Sequence, residues 1–146
     1  MLGETYWGSG GAGVLFYHQG KVLLILRSDD VEQPGTWGIP GGAVNEAYVD
    51  SDDPEESTDL GVFYDTALKE AKEELGELPN NLEIIDQAIF EDQNFKYVTF
   101  LADVPDLTDW FIAINWESDA FGWFDPKHLP KPLHFGMRTL IDAFPQ

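Results

Sequence analysis

The spacing of apolar and polar residues predicts a chain of short strands with one long helix in its middle. Residues 13–18 and 21–27 are β-rich runs on either side of Gln19-Gly20, which predicts a hairpin. The stretch 33–44 is rich in turn-forming residues around a short extended piece. A last short helix is predicted over residues 135–143. Further strands are predicted over LEIIDQAIF, KYVTFLADV, DWFIAINW and AFGWF, which begin at residues 82, 96, 109 and 120.

Residues 60–76 show the periodicity of an amphipathic helix. Gly76 suits its C-terminal cap, and Pro79 prevents its continuation. Four glutamates gather on one flank, and the i,i+4 pair Glu70 and Glu74 costs about 0.2–0.5 kcal/mol if both are ionised. This flank is either a solvated acidic face or a site for a hard cation such as Mg²⁺ or Mn²⁺. The predicted core face consists of Tyr64, Ala67, Leu68, Ala71, Leu75 and Leu78.

Length and charge narrow the class of protein. The 146 residues fit one domain, and strands before and after a long helix favour a layered α/β (α+β) fold. With 27 acidic and 8 basic residues the net charge is −19, which disfavours nucleic-acid polymers and anionic membranes as partners. The chain has no cysteine, no apolar run of membrane length and no signal-peptide pattern, so a cytoplasmic protein is expected. The oligomeric state is left open, a homodimer included.

The glycine-rich segment 8–13 fits the G-x-G-x-x-G pattern but precedes a strand. A dinucleotide site needs this loop after a strand and at the start of a helix. We therefore expect residues 8–13 to be a flexible lead-in to the first strand rather than a cofactor loop.

Two segments in order, GTWGIPGG at 35–42 and KEAKEELG at 69–76, resemble the signature of the Nudix (MutT-like) hydrolase family. That signature reads G-x5-E-x7-R-E-U-x-E-E-x-G-U, where U is bulky and aliphatic. Gly42 matches its first glycine, and Glu70, Glu73, Glu74 and Gly76 match its helical half. The flanks LLILRS and GWFDPKHLP are similar to the family as well.

The resemblance implies a single Nudix domain over residues 1–146, folded as an α/β/α sandwich with a mixed sheet. It also implies a hydrolase that cleaves a pyrophosphate bond in a nucleoside diphosphate linked to another moiety, with Mg²⁺ or Mn²⁺ as cofactor. Glu70, Glu73 and Glu74 would be the metal ligands, and one of them could also act as general base. Glu117 is the preferred further carboxylate of the catalytic set, with Glu91 as its rival.

The substrate-binding residues are predicted from the same resemblance. Arg27 follows a strand beside the expected site and is favoured for phosphate contact over the other basic candidates. Gly41 and Gly42 would let the backbone turn tightly beside the metal. The other basic candidates are Lys96, Lys131 and Arg138. Aromatic residues that could stack a base, or simply fill the core, are Trp37, Phe95 and Trp123. The scattered histidines His18, His128 and His134 suggest no zinc site.

The sequence departs from the signature before the helix. Gly42 and Lys69 are 27 positions apart where the signature has 14, so 13 residues are extra and form an acidic insertion at about 45–60. The first signature glutamate then falls at Tyr48 or at Gly61, depending on the direction of counting. The acids that could replace it are Glu46, Glu55 and Glu56.

Two further departures lie within the helical half. Lys69 replaces the signature arginine. Because lysine offers a point charge in place of a planar two-pronged contact, we expect the carboxylates to be oriented less rigidly. Glu77 replaces the final aliphatic residue, a packing role that Leu78 could fill.

A small-molecule nucleotide is the expected substrate. Nucleoside triphosphates of the (d)NTP type, damaged ones included, are favoured over ADP-ribose or nucleotide sugars, and dinucleoside polyphosphates stay open. The alternative function is a non-catalytic nucleotide sensor with a Nudix fold, suggested by the missing first glutamate and by Lys69. A protein that merely collects cations is a third interpretation.

Overall fold

The computed structural model describes residues 10–44, 60–91, 95–134 and 136–144. Seven strands and two helices lie in these ranges. The first half contains β1 (Gly10–His18), β2 (Lys21–Arg27), β3 (Trp37–Gly38), β4 (Gly41–Ala43) and helix α1 (Leu60–Leu75). The second half contains β5 (Glu83–Glu91), β6 (Lys96–Asp103), β7 (Ser118–Phe124) and helix α2 (Met137–Asp142). No helix in these ranges is long and apolar enough to cross a membrane.

The strands form one mixed sheet in the order β3-β2-β1-β6-β5, with β4 paired to β1 and β7 paired to β2. Strands β1 and β6 run parallel, and the other pairs are antiparallel. The predicted hairpin between β1 and β2 is confirmed. Gln19 and Gly20 both have positive φ, 46° and 84°, as a two-residue turn matched to strand twist requires.

Alternate residues of the central strands enter two cores. Val14 and Phe16 of β1 pack in the core that also contains α1, whereas Leu15 packs in the core that contains α2. Because successive side chains of a strand point to opposite faces, the two cores lie on opposite faces of the sheet. The expected α/β/α layering with a mixed sheet is therefore confirmed.

Two expectations were wrong. Residues 109–116 form no strand, because the N–H groups of Ala113 and Asn115 bond to the end of α1 instead of to a neighbouring strand. The glycine-rich residues 10–13 are not a lead-in but part of β1, paired with both β4 and β6. Gly11 and Gly13 leave room there for the side chain of Tyr97, since a Cβ on either would lie 2.6–2.7 Å from it. The acidic insertion predicted at about 45–60 lies almost wholly outside the described residues.

Candidate functional site

Helix α1 carries the candidate carboxylates on the border between its buried and exposed faces. Ala67, Ala71 and Leu75 of the predicted core face are fully buried against the sheet. Tyr64, Leu68 and Leu78 pack against the same core. Glu74 follows the same border, and only 5% of its surface is exposed. A carboxylate so buried needs a polar partner, since an uncompensated buried charge is costly.

Strand β4 supplies that partner. The backbone N–H of Gly41 donates a hydrogen bond of 3.1 Å to Oε2 of Glu74. A Cβ at Gly41 would lie 2.6 Å from the carbonyl oxygen of Ala12, and a Cβ at Gly42 would lie 2.7 Å from Cδ of Glu70. Both glycines are in extended strand opposite β1, so the tight turn expected at these positions is absent. Glycine is needed at both positions because backbone atoms approach Gly41 closely and the Glu70 carboxylate approaches Gly42 closely.

The environment of Glu74 favours its protonated form. Burial raises the pKa of Glu74 from 4.5 to about 8, and the negative charges of Glu117 and Glu70 add to the rise. The hydrogen bond from Gly41 and the positive charge of Arg27 lower the pKa, but by less. Three predicted carboxylates and the predicted phosphate-binding arginine are therefore close enough to act on one another electrically. A pKa this far from normal at a clustered site is typical of functional carboxylates.

Glu70 and Glu73 share the cation of Lys69. Nζ of Lys69 lies 3.5 Å from Oε2 of Glu70 and 3.3 Å from Oε2 of Glu73. The Glu70 side chain is 23% exposed and the Glu73 side chain 51% exposed. Burial and the charge of Glu73 raise the pKa of Glu70, while the contact with Glu73 raises the pKa of Lys69. The lysine at the signature arginine position thus sits beside two of the carboxylates on the solvent side of α1.

The end of α1 is closed by the segment 109–116. The last four carbonyls of a helix have no partner within it. Those of residues 72–75 are bonded here by the N–H of Gly76, the side-chain amide of Asn115, the N–H of Asn115 and the N–H of Ala113. Gly76 has φ 90°, so it forms the predicted C-terminal cap.

Glu117 lies between this segment and β7. Its carbonyl accepts the N–H of Ser28 at 2.9 Å, which joins it to the end of β2. Its carboxylate accepts a hydrogen bond of 3.3 Å from the side-chain amide of Asn115. The structure therefore brings Glu117 towards Glu74. Its rival Glu91 lies at the end of edge strand β5, opposite Lys96.

Arg27 ends β2 beside Glu117 and Ser118. Its Nε–H donates a hydrogen bond of 2.6 Å to the carbonyl of Glu32, and the side chain is half-buried. The remaining basic candidates lie elsewhere. Lys96 stands over the ring of Phe63, and Arg138 pairs with Asp142 in α2.

The aromatic candidates are mostly structural. Trp37 and Trp123 pack against the two cores, and Phe95 stacks on Tyr97 at a centroid distance of 6.1 Å. Sequence reasoning missed Tyr97, whose hydroxyl lies against Gly13 and Gly41. Burial first, and then the charge of Glu74, raises the pKa of Tyr97. Its phenol therefore stays neutral and able to donate a hydrogen bond.

Sequence reasoning also missed Asn115, because it was placed inside a predicted strand. One signal was available: asparagine inside an apolar run favours a turn, in which its side chain bonds the backbone two residues on. The possible replacements for the first signature glutamate, Glu46, Glu55 and Glu56, lie outside the described residues, as does Tyr48. Gly61 lies in the first turn of α1 and is exposed.

The candidate carboxylates have the right chemistry for a hard divalent cation, but their oxygens do not point to one common position. Within the described parts of the chain, no three acidic, histidine or cysteine side chains are arranged to hold a metal ion. Glu74 instead accepts the Gly41 N–H, and Glu70 and Glu73 face Lys69. Carboxylate oxygens are the ligands that Mg²⁺ and Mn²⁺ prefer. A cation would relieve the repulsion from Glu117 and Glu70, which adds to the effect of burial in raising the pKa of Glu74.

Comparison with known proteins agrees with this fold. The model of the NUDIX domain family matches residues 9–144, and the chain belongs to that family. A curated relative from Mycobacterium tuberculosis, named putative 8-oxo-dGTP diphosphatase 3, is 31% identical over 147 aligned positions. The alignment covers 92% of this chain and 61% of the relative, so the chain spans about three fifths of that protein's length.

Solved structures show the same fold. The Nudix hydrolase RenU from M. smegmatis superposes with a TM-score of 0.66 at 24% identity, covering 94% of this chain and 88% of its own. An ADP-ribose pyrophosphatase from Streptococcus suis superposes with a TM-score of 0.61 at 23% identity, covering 93% and 91% of the two chains.

Proposed function

We propose that this protein is a metal-dependent pyrophosphohydrolase that cleaves a nucleoside diphosphate linked to another moiety. The observation that carries the proposal is that Glu74 lies against Gly41 and Glu70 against Gly42 of β4, with the charge of Glu117 acting on Glu74, in a member of the NUDIX family. We further propose a (d)NTP-type nucleotide as substrate. The name of the M. tuberculosis relative, which denotes an oxidised deoxynucleoside triphosphate, supports this choice over ADP-ribose.

Mg²⁺ or Mn²⁺ would be held by Glu70, Glu73 and Glu74, with Glu117 as a further carboxylate. When bound, such an ion lowers the pKa of a coordinated water and offsets charge on the pyrophosphate oxygens. Arg27 is the residue proposed to contact a phosphate, and the effect of its charge on Glu74 supports this choice. Glu74 is the proposed general base, because it is the most buried of the three helical glutamates and the Gly41 N–H holds its carboxylate in place.

The experiment that tests the function is a turnover assay on a nucleotide panel. Wild-type protein with Mg²⁺ or Mn²⁺ is incubated with canonical and oxidised (d)NTPs, ADP-ribose, nucleotide sugars and dinucleoside polyphosphates, and products are separated by ion exchange. Glu74→Gln should lower kcat by at least about 100-fold, as expected for loss of a group that acts on the transition state. The matched control is Glu77→Gln, an exposed glutamate just beyond α1, which should leave turnover unchanged.

The outcomes separate the candidate functions. Turnover of (d)NTPs that requires metal and Glu74 supports the proposal in full. Turnover of ADP-ribose or a dinucleoside polyphosphate alone retains the hydrolase and replaces its substrate. A nucleotide that raises the melting temperature without being cleaved would instead identify the protein as a nucleotide-binding module.

A further inference from the structure

Asn115 connects the end of α1 to the start of β7 through both its side chain and its backbone. Its Nδ2 donates to the carbonyl of Glu73 at 3.2 Å and to Oε1 of Glu117 at 3.3 Å. Its Oδ1 accepts the N–H of Glu117 at 3.0 Å, and its own N–H donates to the carbonyl of Glu74 at 3.3 Å. One residue thus contacts three of the four predicted catalytic glutamates.

The orientation of this side-chain amide is fixed by its partners. A backbone N–H can only donate, so the atom that faces the N–H of Glu117 must be the oxygen Oδ1. A backbone carbonyl can only accept, so the atom that faces the carbonyl of Glu73 must be the nitrogen Nδ2. The two hydrogens of Nδ2 then serve Glu73 and Glu117, and the amide has no donor left for another partner.

Glu117 needs such a contact more than the helical glutamates do. It precedes β7 on an irregular segment, and its charge and that of Glu74 repel each other. Among the residues that the structure describes, the Asn115 amide is the hydrogen-bond donor that reaches the Glu117 carboxylate. The same amide also donates to the carbonyl of Glu73. It therefore fixes the position of the Glu117 carboxylate relative to the helix that carries the other three glutamates.

We propose that Asn115 is a positioning residue that sets the Glu117 carboxylate against the carboxylates of α1, so that all of them can act on one divalent cation. The proposal rests on the function proposed above, because it assigns Glu117 to the metal site. Residues that orient metal ligands in this way typically contribute about 10–100-fold to metal affinity.

Direct Mn²⁺ binding tests the proposal without any assay of turnover. Titration of the protein with Mn²⁺, followed by the paramagnetic resonance signal of the free ion, gives a Kd for each variant. Asn115→Ser is the informative change. A serine hydroxyl can still accept the N–H of Glu117 two residues on, but it is too short to bridge Glu73 and Glu117. Asn81→Ser is the matched control, because the Asn81 amide bonds the carbonyl of Asp106, where no predicted carboxylate lies.

We expect Asn115→Ser to weaken Mn²⁺ binding by about tenfold or more, with a melting temperature close to that of the wild type, and Asn81→Ser to bind like the wild type. The loss should not exceed that of Glu117→Gln if Asn115 acts through that carboxylate. A larger loss would mean that Asn115 acts mainly through the end of α1, and it would overturn the proposed role. Equal affinities of wild type and Asn115→Ser would overturn the role of Asn115 while leaving the function intact. A wild type that binds no Mn²⁺ would overturn the proposed function and this role together.

Discussion

The N–H of Gly41 donates a hydrogen bond of 3.1 Å to Oε2 of Glu74, which joins strand β4 to helix α1 across 33 positions of the chain. The bond favours the ionised carboxylate, yet burial and the charge of Glu117 act more strongly in the opposite direction. With a pKa of about 8, the Glu74 carboxyl changes its protonation state close to neutral pH. The stability of the protein should therefore depend on pH in this range.

The stability of the metal-free protein should fall as the pH rises from about 4.5 to about 8. Glu74 has a pKa of about 8 in the folded protein and an ordinary value of 4.5, so over this range the folded state binds more protons than the unfolded chain. The free energy of unfolding must then decrease with pH, by at most about 5 kcal/mol from this group. Burial also raises the pKa of Glu70, which acts in the same direction.

Urea unfolding of the wild type and of Glu74→Gln in EDTA, at a series of pH values, measures this contribution. The difference between the two proteins cancels the titration of groups that they share. The variant should gain stability relative to the wild type as the pH rises to 8. A difference that stays constant with pH would show that the folded state does not perturb this carboxyl.

Alanine at Gly41 and alanine at Gly42 should have different effects. The Cβ at position 41 would meet backbone atoms, with the carbonyl oxygen of Ala12 at 2.6 Å, so we expect a loss of about 1–3 kcal/mol in stability. The three atoms nearest to a Cβ at position 42 all belong to the flexible Glu70 side chain. Gly42→Ala should therefore fold almost as stably as the wild type but bind Mn²⁺ more weakly.

The control for both is Gly10→Ala, since a Cβ at Gly10 would have its nearest neighbour at 3.6 Å, an ordinary contact. Urea unfolding and Mn²⁺ titration separate the two effects. The spatial account would fail if Gly42→Ala were as unstable as Gly41→Ala and yet bound Mn²⁺ normally.

Arg27→Gln should reduce kcat/KM for a nucleoside triphosphate by about tenfold or more, the usual range for loss of a charged hydrogen bond. Most of the loss should appear in KM, because a phosphate contact acts in the bound substrate as well as in the transition state. Steady-state kinetics measures both constants. Arg138→Gln is the control, since Arg138 lies in α2 on the other face of the sheet and pairs with Asp142 at 3.4 Å. Equal effects at both positions would point to loss of general positive charge in this acidic protein.

Trp110→Phe should destabilise the fold by about 1–2 kcal/mol, since it removes a part-buried hydrogen bond while keeping an aromatic ring. Trp110 is 8% exposed, its ring packs on Phe16 at 5.0 Å, and its Nε1–H donates to the carbonyl of Glu77 at 2.9 Å. Trp116 is 66% exposed, so Trp116→Phe should change stability by less than about 0.5 kcal/mol. Urea midpoints that shift equally for the two variants would contradict the assigned hydrogen bond.

Regular periodicity explains which parts of the fold were predictable. Helix α1 and its core face followed from residues repeating every three or four positions, and the β1–β2 hairpin followed from Gln19-Gly20. The segment 109–116 has the composition of a strand, but no periodicity can reveal that the open carbonyls of α1 will take its N–H groups. Long-range hydrogen bonds therefore determine the structure of this segment more strongly than its local composition does.

The candidate site was predictable only in part, for a related reason. Glu70, Glu73 and Glu74 share one turn of one helix, so their neighbourhood follows from helix geometry. Whether Glu117 or Glu91 approaches Glu74 depends on strand order and register, which one sequence does not contain. Gly41 was expected for its flexibility, whereas the structure needs it because the Ala12 carbonyl and the Tyr97 hydroxyl leave no space for a Cβ.

The hydrogen bonds at the end of α1 also affect local opening of the structure and amide hydrogen exchange. The amide protons of Ala113 and Asn115 belong to an irregular segment, yet they are bonded to helical carbonyls. Such protons exchange with solvent only when the bonds between the segment and the helix end break. An irregular stretch and the last turn of a helix therefore form a single cooperative unit, and slow hydrogen exchange would extend well past the residue where the helix ends.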